Sequence, residues 1–438
     1  MRKAKKLIAV LLVIVLAGSL LTGCGVKTTE ETKTEETSET KKEETPEAKT
    51  EETSDEVVEI EYLNHKTETE AIEGMNKLIA KFEKENQNIK VTQTTTADFE
   101  TVITTRAQTN EMPDLFSCST NNSYEVMFEE GIIMDLTGQE FLNNVAADTL
   151  ALSEYNDKNW RLPYSLSAYG LFIRTDIFEE QGIAIPTTYD ELMATAEKLQ
   201  QAGITPFICA DKDLGVVGQR MERIMGIIND NADAEFRQIV AGDLSAKDST
   251  TMTTYAKTQA DIVKYTTSDS VGVDQEASYQ NFVNGEGAML INGTWTLTTL
   301  KSYNPDIKVV MIPFPNPTGE NTKVPISIDT SFAVSNTTKY PEECMLFLKF
   351  LSQAENAQIY CDNEGSPNVI NGVKSNVAEL SAVTEKMANG DIFVSLNAIW
   401  PSGLRNTMRD YAQKLIMDKD TNAFVESASE ILPEFYTE

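Results

Sequence analysis

From Val57 onward, short apolar runs alternate with stretches whose apolar residues recur every three or four positions. That alternation restricts the fold more than any other property of the chain. Residues 57–63 read as a strand, after which Ile72, Met75, Leu78, Ile79 and Phe82 fall on one face of a helix. A second strand is expected at 89–95, a helix at 99–108 and a third strand at 114–117, just after Pro113. Such a βαβα rhythm belongs to a parallel sheet covered on both faces, the α/β class. Later strands are expected at 169–174, 205–208, 288–291, 307–312 and 331–335, with helices at 189–201, 216–229, 251–266, 341–351 and 407–417. From Ser366 the pattern is mostly helical, which suggests an α-rich second lobe. Roughly 380 residues exceed what one core carries, so two lobes are expected.

The first 56 residues obey different rules. Arg2, Lys3, Lys5 and Lys6 precede an unbroken apolar run at 7–16 and a short exit, Leu21-Thr22-Gly23-Cys24. This is the order of a secretion signal, and the run is short for a stop-transfer helix. The exit resembles a bacterial lipobox, in which the Cys after the cut receives lipid on its sulfur and amine. The mature chain is then expected to start at Cys24 on the extracellular face of the cell membrane; a plain signal peptide with a chance Cys is the alternative. Residues 27–56 hold twelve acids against five lysines, nine threonines, Pro46 and no large apolar side chain. Such a tract cannot bury enough surface to offset its ordering entropy, and thirty residues of flexible coil span ~30 Å. It reads as a linker that clears a globular body from the lipid.

The chain carries a formal net charge of −31, which disfavours nucleic acid and anionic membrane surfaces as partners and leaves neutral ligands open. Cys118, Cys209, Cys344 and Cys361 form no CxxC and have one histidine, His65, to join them, so neither a zinc cage nor another cofactor site is expected. Whether Cys344 and Cys361 pair stays open. One histidine also removes most Ser-His-Asp, Cys-His and metal-hydrolase arrangements, and GxSxG, GxxxxGK[ST] and GxGxxG are missing. A carboxylate pair of the glycosidase kind stays open, because its separation is a three-dimensional fact. Asp418-Lys419-Asp420-Thr421-Asn422 begins like a calcium loop, but Ala423 replaces the turn glycine and Ser429 the bidentate acid; a helix-linking turn is the better reading.

Several segments together resemble the extracellular solute-binding proteins of carbohydrate ABC importers, the family that includes maltose-binding protein. They are Met112-Pro113-Asp114-Leu115-Phe116, Leu162-Pro163-Tyr164-Ser165, Ala168-Tyr169-Gly170-Leu171-Phe172-Ile173-Arg174-Thr175-Asp176 and Pro186-Thr187-Thr188-Tyr189-Asp190-Glu191-Leu192. Phe282 to Trp295, reading FVNGEGAMLINGTW, and Gly365-Ser366-Pro367 complete the series. The resemblance implies a two-lobe, periplasmic-binding-protein-like fold of the Venus-flytrap kind, whose lobes close on ligand about crossing hinge segments. Those crossings map near 165–169, 326–330 and 351–355. Lobe one then takes 57–166 plus 328–352 and lobe two 167–327 plus 353–438, behind a signal peptide at 1–23 and a lipidated linker at 24–56. It further implies a non-catalytic, monomeric receptor that passes a sugar, an oligosaccharide for preference, to ABC permease subunits. Capture of a peptide or polyamine, a surface glycosidase and a sensor component remain alternatives.

Sugar binding narrows the site. A pyranose offers apolar C–H faces that stack on flat rings and hydroxyls that need planar polar groups. Trp295 follows the strand at 288–291, at the position where relatives commonly carry a stacking ring; Trp400 precedes a helix on a loop, and Tyr169 lies in a crossing segment. Trp160 reads as packing. Polar contacts are expected from Asn64 and His65 after the first strand and from Asn121 and Asn122 after the third, since α/β sheets present ligand groups at strand C-termini. Asp329, in a crossing segment, and Glu364, beside Gly365-Ser366-Pro367, complete the set. No aromatic follows Phe116 at 117–120, so maltose specificity is not implied.

Overall fold

The strand Val58–Asn64 sends alternate side chains into two different cores, and the first lobe is assembled around it. In the computed structural model, residues 57–96, 98–119, 124–375, 377–401 and 403–436 are described. The expected leader, Cys24 and the linker lie outside these residues, as do Asn121 and Asn122. Val58–Asn64 pairs in parallel with Ile89–Thr95 on one side and Leu115–Ser117 on the other. Two strands from far along the chain, Ser331–Val334 and Leu162–Pro163, then extend the sheet antiparallel. Ile60, Tyr62, Leu115, Phe332 and Val334 face one core, while Leu63, Phe116 and Ala333 face the other, as a period of two requires.

The helix Thr69–Glu85 links the first two strands and buries Ala71, Gly74, Met75, Leu78, Ile79 and Phe82. Each large apolar side chain buried there contributes ~1.5–3 kcal/mol. Ile72, expected on that face, is only half-buried. Ala71 and Gly74 take the centre instead because a second helix, Ala354–Glu364, crosses there: a Cβ on Gly74 would lie 3.0 Å from that of Asn363.

The second sheet runs Ile392–Val394, Val324–Ile328, Leu166–Arg174, Gly287–Gly293, Thr205–Ile208, and Val309–Ile312 pairs with the outer half of the long strand Leu166–Arg174. Tyr169, Leu171 and Ile173 enter one core and Ala168 and Phe172 the opposite one. Gly170 lies where a Cβ would collide with the Ile312 carbonyl oxygen, so this strand junction needs glycine. Helices Leu214–Ile228, Thr250–Lys264, Leu404–Asp418 and Thr421–Phe435 pack on the first of these faces. The helix Tyr189–Gln201 begins where its sequence dictates: Thr188 and Glu191 form a reciprocal capping box.

Two passages between the sheets lie side by side. Tyr164 and Ser165 donate backbone N–H groups to the Thr330 carbonyl at 2.8 and 3.1 Å, and Asp329 donates back to Ser165 at 2.9 Å. The strands leaving them pair antiparallel, Ser167 opposite Ser327. The third passage differs from expectation. Ala357, Tyr360, Val369 and Ile370 pack into the first lobe's core, and Leu380 and Val383 into the second's, so the chain crosses between 370 and 380 rather than at 351–355. Residues 353 to about 370 therefore belong with the first sheet, contrary to the expected boundary. The reason is helix–helix burial: Tyr360 sits 5.3 Å from Tyr164 ring to ring, deep under the first sheet.

Cys118, Cys209, Cys344 and Cys361 are buried free thiols. Asp420 accepts from the backbone N–H groups of Asn422 and Ala423 and so caps the last helix, the helix-linking role expected of that turn.

Candidate functional site

A cavity of about 430 Å³ opens where the two paired passages meet, between the C-terminal end of the first sheet and the helices of the second lobe. Its floor is the hinge itself: Ser167 and Ser327, whose hydroxyls lie 2.9 Å apart, and Asp329 line it. The first-lobe wall holds His65, Lys66, Glu68 and Glu100. Lys66 is 3% exposed, and its ammonium donates to Asp329 at 2.6 Å and to Glu364 at 3.1 Å. His65 Nε2 stands 3.8 Å from the other Asp329 oxygen.

Three ionisable groups buried together must share their charge. Burial alone would raise the Asp329 carboxyl, but Lys66 and His65 outweigh it and hold it far below the usual carboxylate range. Burial likewise works against the Lys66 charge and is overcome by Asp329 and Glu364, so the ammonium is held more firmly than usual. Glu364 is the member left over. Burial pushes it up to about 7, Lys66 only partly opposes that, and Asp329 adds to the rise.

The second-lobe wall is built from separate helices. Gln219 and Arg223 come from Leu214–Ile228, Gln275 from Gln275–Val283 and Arg405 from Leu404–Asp418, with Trp295 and Asn397 between them. The Trp295 ring lies across Gly293, where a methyl group would overlap it. Arg223 sits against two rings, its guanidinium carbon 5.0 Å from the Tyr169 centroid and 6.0 Å from that of Trp295. Behind it, fully buried Glu222 pairs with both Arg223 and Arg405, the latter at 2.6 Å.

The expected residues therefore divide. His65, Trp295 and Asp329 line the cavity, and Glu364 lies directly behind Lys66. Three others are displaced into the packing. Trp400 is 1% exposed and lies against Phe236, ring centroids 5.9 Å apart, because Leu396–Ala398 turns the indole into the helical core. Tyr169 points below the wall, its hydroxyl donating to the Ile291 carbonyl at 3.3 Å, and supports Arg223 from beneath. The Asn64 side chain is consumed by Gln93, Lys66 and Ser117. Asn121 and Asn122 lie outside the described residues. Trp160 packs on Phe128, 5.1 Å away, as read from sequence.

Sequence reasoning missed Lys66, Glu68, Arg223, Gln275 and Arg405. One signal was available: Arg220, Glu222 and Arg223 interrupt an otherwise apolar helix, and charges there demand partners.

The bacterial extracellular solute-binding protein family matches residues 65–358. Among characterised relatives, the multiple sugar-binding protein of Streptococcus mutans is 26% identical over 358 residues, covering 79% of this chain and 83% of that one. The melibiose/raffinose/stachyose-binding protein MelE of Bacillus subtilis is 23% identical over 324 residues, 72% of this chain and 75% of that one. The solved structure of the solute-binding protein RafE in complex with raffinose superposes with a TM-score of 0.79 at 23% identity, over 87% of this chain and 100% of that one. Two α/β lobes on paired crossings, a polar cavity on the hinge and a family match over most of the chain agree: the protein belongs to the bacterial extracellular solute-binding protein family.

Proposed function

We propose that this protein is a non-catalytic receptor that captures an oligosaccharide in the cleft and delivers it to the permease of an ABC importer. The observation that carries the reading is Trp295. A flat ring lies on the wall of a cavity of about 430 Å³ whose lining also includes Arg223, Gln219, Gln275, Asn397 and Asp329, planar polar groups of the kind sugar hydroxyls need. The sugars named for the Streptococcus and Bacillus relatives point to the same ligand class. Non-catalytic action fits Glu364, the carboxyl raised toward neutrality, because it is buried behind Lys66 and does not line the cavity, so it has no substrate within reach for a proton. The lipidated Cys24, the extracellular anchor and the monomeric state belong to the same proposal; mass spectrometry of the membrane fraction and light scattering check them.

The test is a thermal-shift screen against mono- and oligosaccharides, with peptides and polyamines alongside. A ligand at a hundred times its Kd stabilises the native state by ~2.7 kcal/mol. A shift with one oligosaccharide series, lost in Trp295→Ala, with the sugar recovered intact, is the expected result. A shift with a charged solute alone, or a shortened sugar, refutes the proposal.

A further inference from the structure

We infer that Glu222 is a positioning residue of the ligand site: it never reaches the ligand, but it fixes Arg223 and Arg405 as a pair of charged donors on the second-lobe wall and so seats Trp295. The inference rests on the sugar-binding reading of the cleft and adds to it the residue that organises one wall.

The stoichiometry of charge is the starting point. Isolated burial of a carboxylate is costly, and one cation already neutralises its charge. A nearby pair shows it: Asp211, in the turn before this helix, pairs with Arg220 on it, Gln259 accepts from Arg220 Nε at 3.1 Å, and none of the three lines the cavity. Glu222, equally buried, instead takes two arginines from two helices, Arg223 on Leu214–Ile228 and Arg405 on Leu404–Asp418. Both arginines line the cavity. The trio keeps a surplus positive charge on the cleft side.

Each guanidinium carries five N–H donors in a rigid fork. Arg223 Nη1 donates to Glu222 and, at 3.2 Å, to the Gln219 carbonyl, while Arg405 meets Glu222 as an ion pair, Nε 2.6 Å from a carboxylate oxygen but without hydrogen-bond geometry. The remaining donors belong to side chains that form the wall. Arg223 stands beside both rings, 5.0 Å from the Tyr169 centroid and 6.0 Å from that of Trp295, and the rings themselves lie 6.3 Å apart, so whatever fixes Arg223 also braces the Trp295 ring. A guanidinium fork beside a stacking ring matches adjacent sugar oxygens more closely than a flexible ammonium would, and a carboxylate behind it holds the geometry before ligand arrives.

The experiment compares Glu222→Gln, Glu222→Asp and Asp211→Asn in the full chain, by calorimetric titration with the oligosaccharide found in the screen. Glu222→Gln should weaken binding tenfold or more, about the worth of one charge-assisted hydrogen bond. Glu222→Asp keeps the charge and should recover part of the loss. Asp211→Asn, which breaks a buried charge pair that does not line the cleft, should lower Tm yet leave Kd within about twofold. Wild-type affinity in Glu222→Gln overturns the inference, and so does an equal loss in Asp211→Asn. A ligand-free arm measures acrylamide quenching of Trp295, taken as the difference from Trp295→Phe. It should rise in Glu222→Gln and not in Asp211→Asn. If the wild-type protein binds no sugar, the functional reading fails, and the quenching arm alone decides the positioning role.

Discussion

Glu364 gives the sharpest handle on the buried charge cluster. Its carboxyl titrates near 4.5 when unfolded and is pushed up to about 7 in the folded protein, chiefly by burial. The folded state thus holds this proton longer than the unfolded one. The stability tied to that proton is fully present below pH 4.5 and is lost as pH rises through 7. At ~1.4 kcal/mol per unit of pKa difference, the full loss is about 3–4 kcal/mol. Asp329 acts with the opposite sign. Its depressed carboxyl contributes stability above pH 3.8 that disappears on further acidification, so it is flat over the Glu364 window. Glu364→Gln mimics the protonated side chain and keeps its shape. Urea unfolding at pH 5, 6, 7 and 8 should find the variant within about 1 kcal/mol of wild type at pH 5 and about 3–4 kcal/mol more stable than wild type at pH 8. Taking the difference between the two proteins cancels the titration of every group that does not interact with Glu364, and its partners Asp329 and Lys66 titrate outside pH 5–8. A difference that stays constant from pH 5 to 8 refutes the account of the cluster.

Other tests separate packing from binding. Trp400→Ala should cost ~3–5 kcal/mol of stability, read by denaturant unfolding, while the folded variant keeps its ligand Kd; a lost Kd at full stability would return Trp400 to the site. Gly293→Ala should displace the Trp295 ring, shift its fluorescence and weaken ligand about tenfold, an effect Ala-sized changes elsewhere in the strand should not share. The thiols of Cys118 and Cys361 are pushed up to about 11 and those of Cys209 and Cys344 to about 12, all by burial first. With Cys24 replaced by Ser, a disulfide reagent should label none of them within minutes at pH 8 and all four in urea; prompt labelling of the native chain contradicts their burial.

How much could be read in advance follows from how local each signal is. Tyr189–Gln201 and Pro341–Leu351 were legible to the residue, because a capping box and a leading proline mark helix starts within four positions. The apolar alternation at 57–63 marks a strand, found at Val58–Asn64. Ala354–Glu364 was assigned to the wrong lobe because its partner, Thr69–Glu85, is nearly three hundred residues away and nothing in its own composition names it. Trp295 and Trp400 look alike in sequence, each before a helix. Only the packing of Phe236 against one, and of Gly293 beneath the other, distinguishes core from cleft. Arg223 was missed because a single arginine inside a helix declares its need for a partner and not the direction it faces.

The order of strands in the first sheet bears on how such a chain is made. Leu115–Ser117 finds its neighbour in Ser331–Val334, over two hundred residues later, and the covering helix Ala354–Glu364 comes later still. Until that stretch is available, the leading third has half a sheet, an unpaired edge and an uncovered helix face. Non-local closure of this kind is slow, and each partial state forfeits most of the burial that would hold it together. A polypeptide laid out in this way stays loose while it is synthesised and threaded, and locks only near its completion. For a member of an extracellular family, late locking keeps the chain able to pass through a narrow channel until the far side is reached.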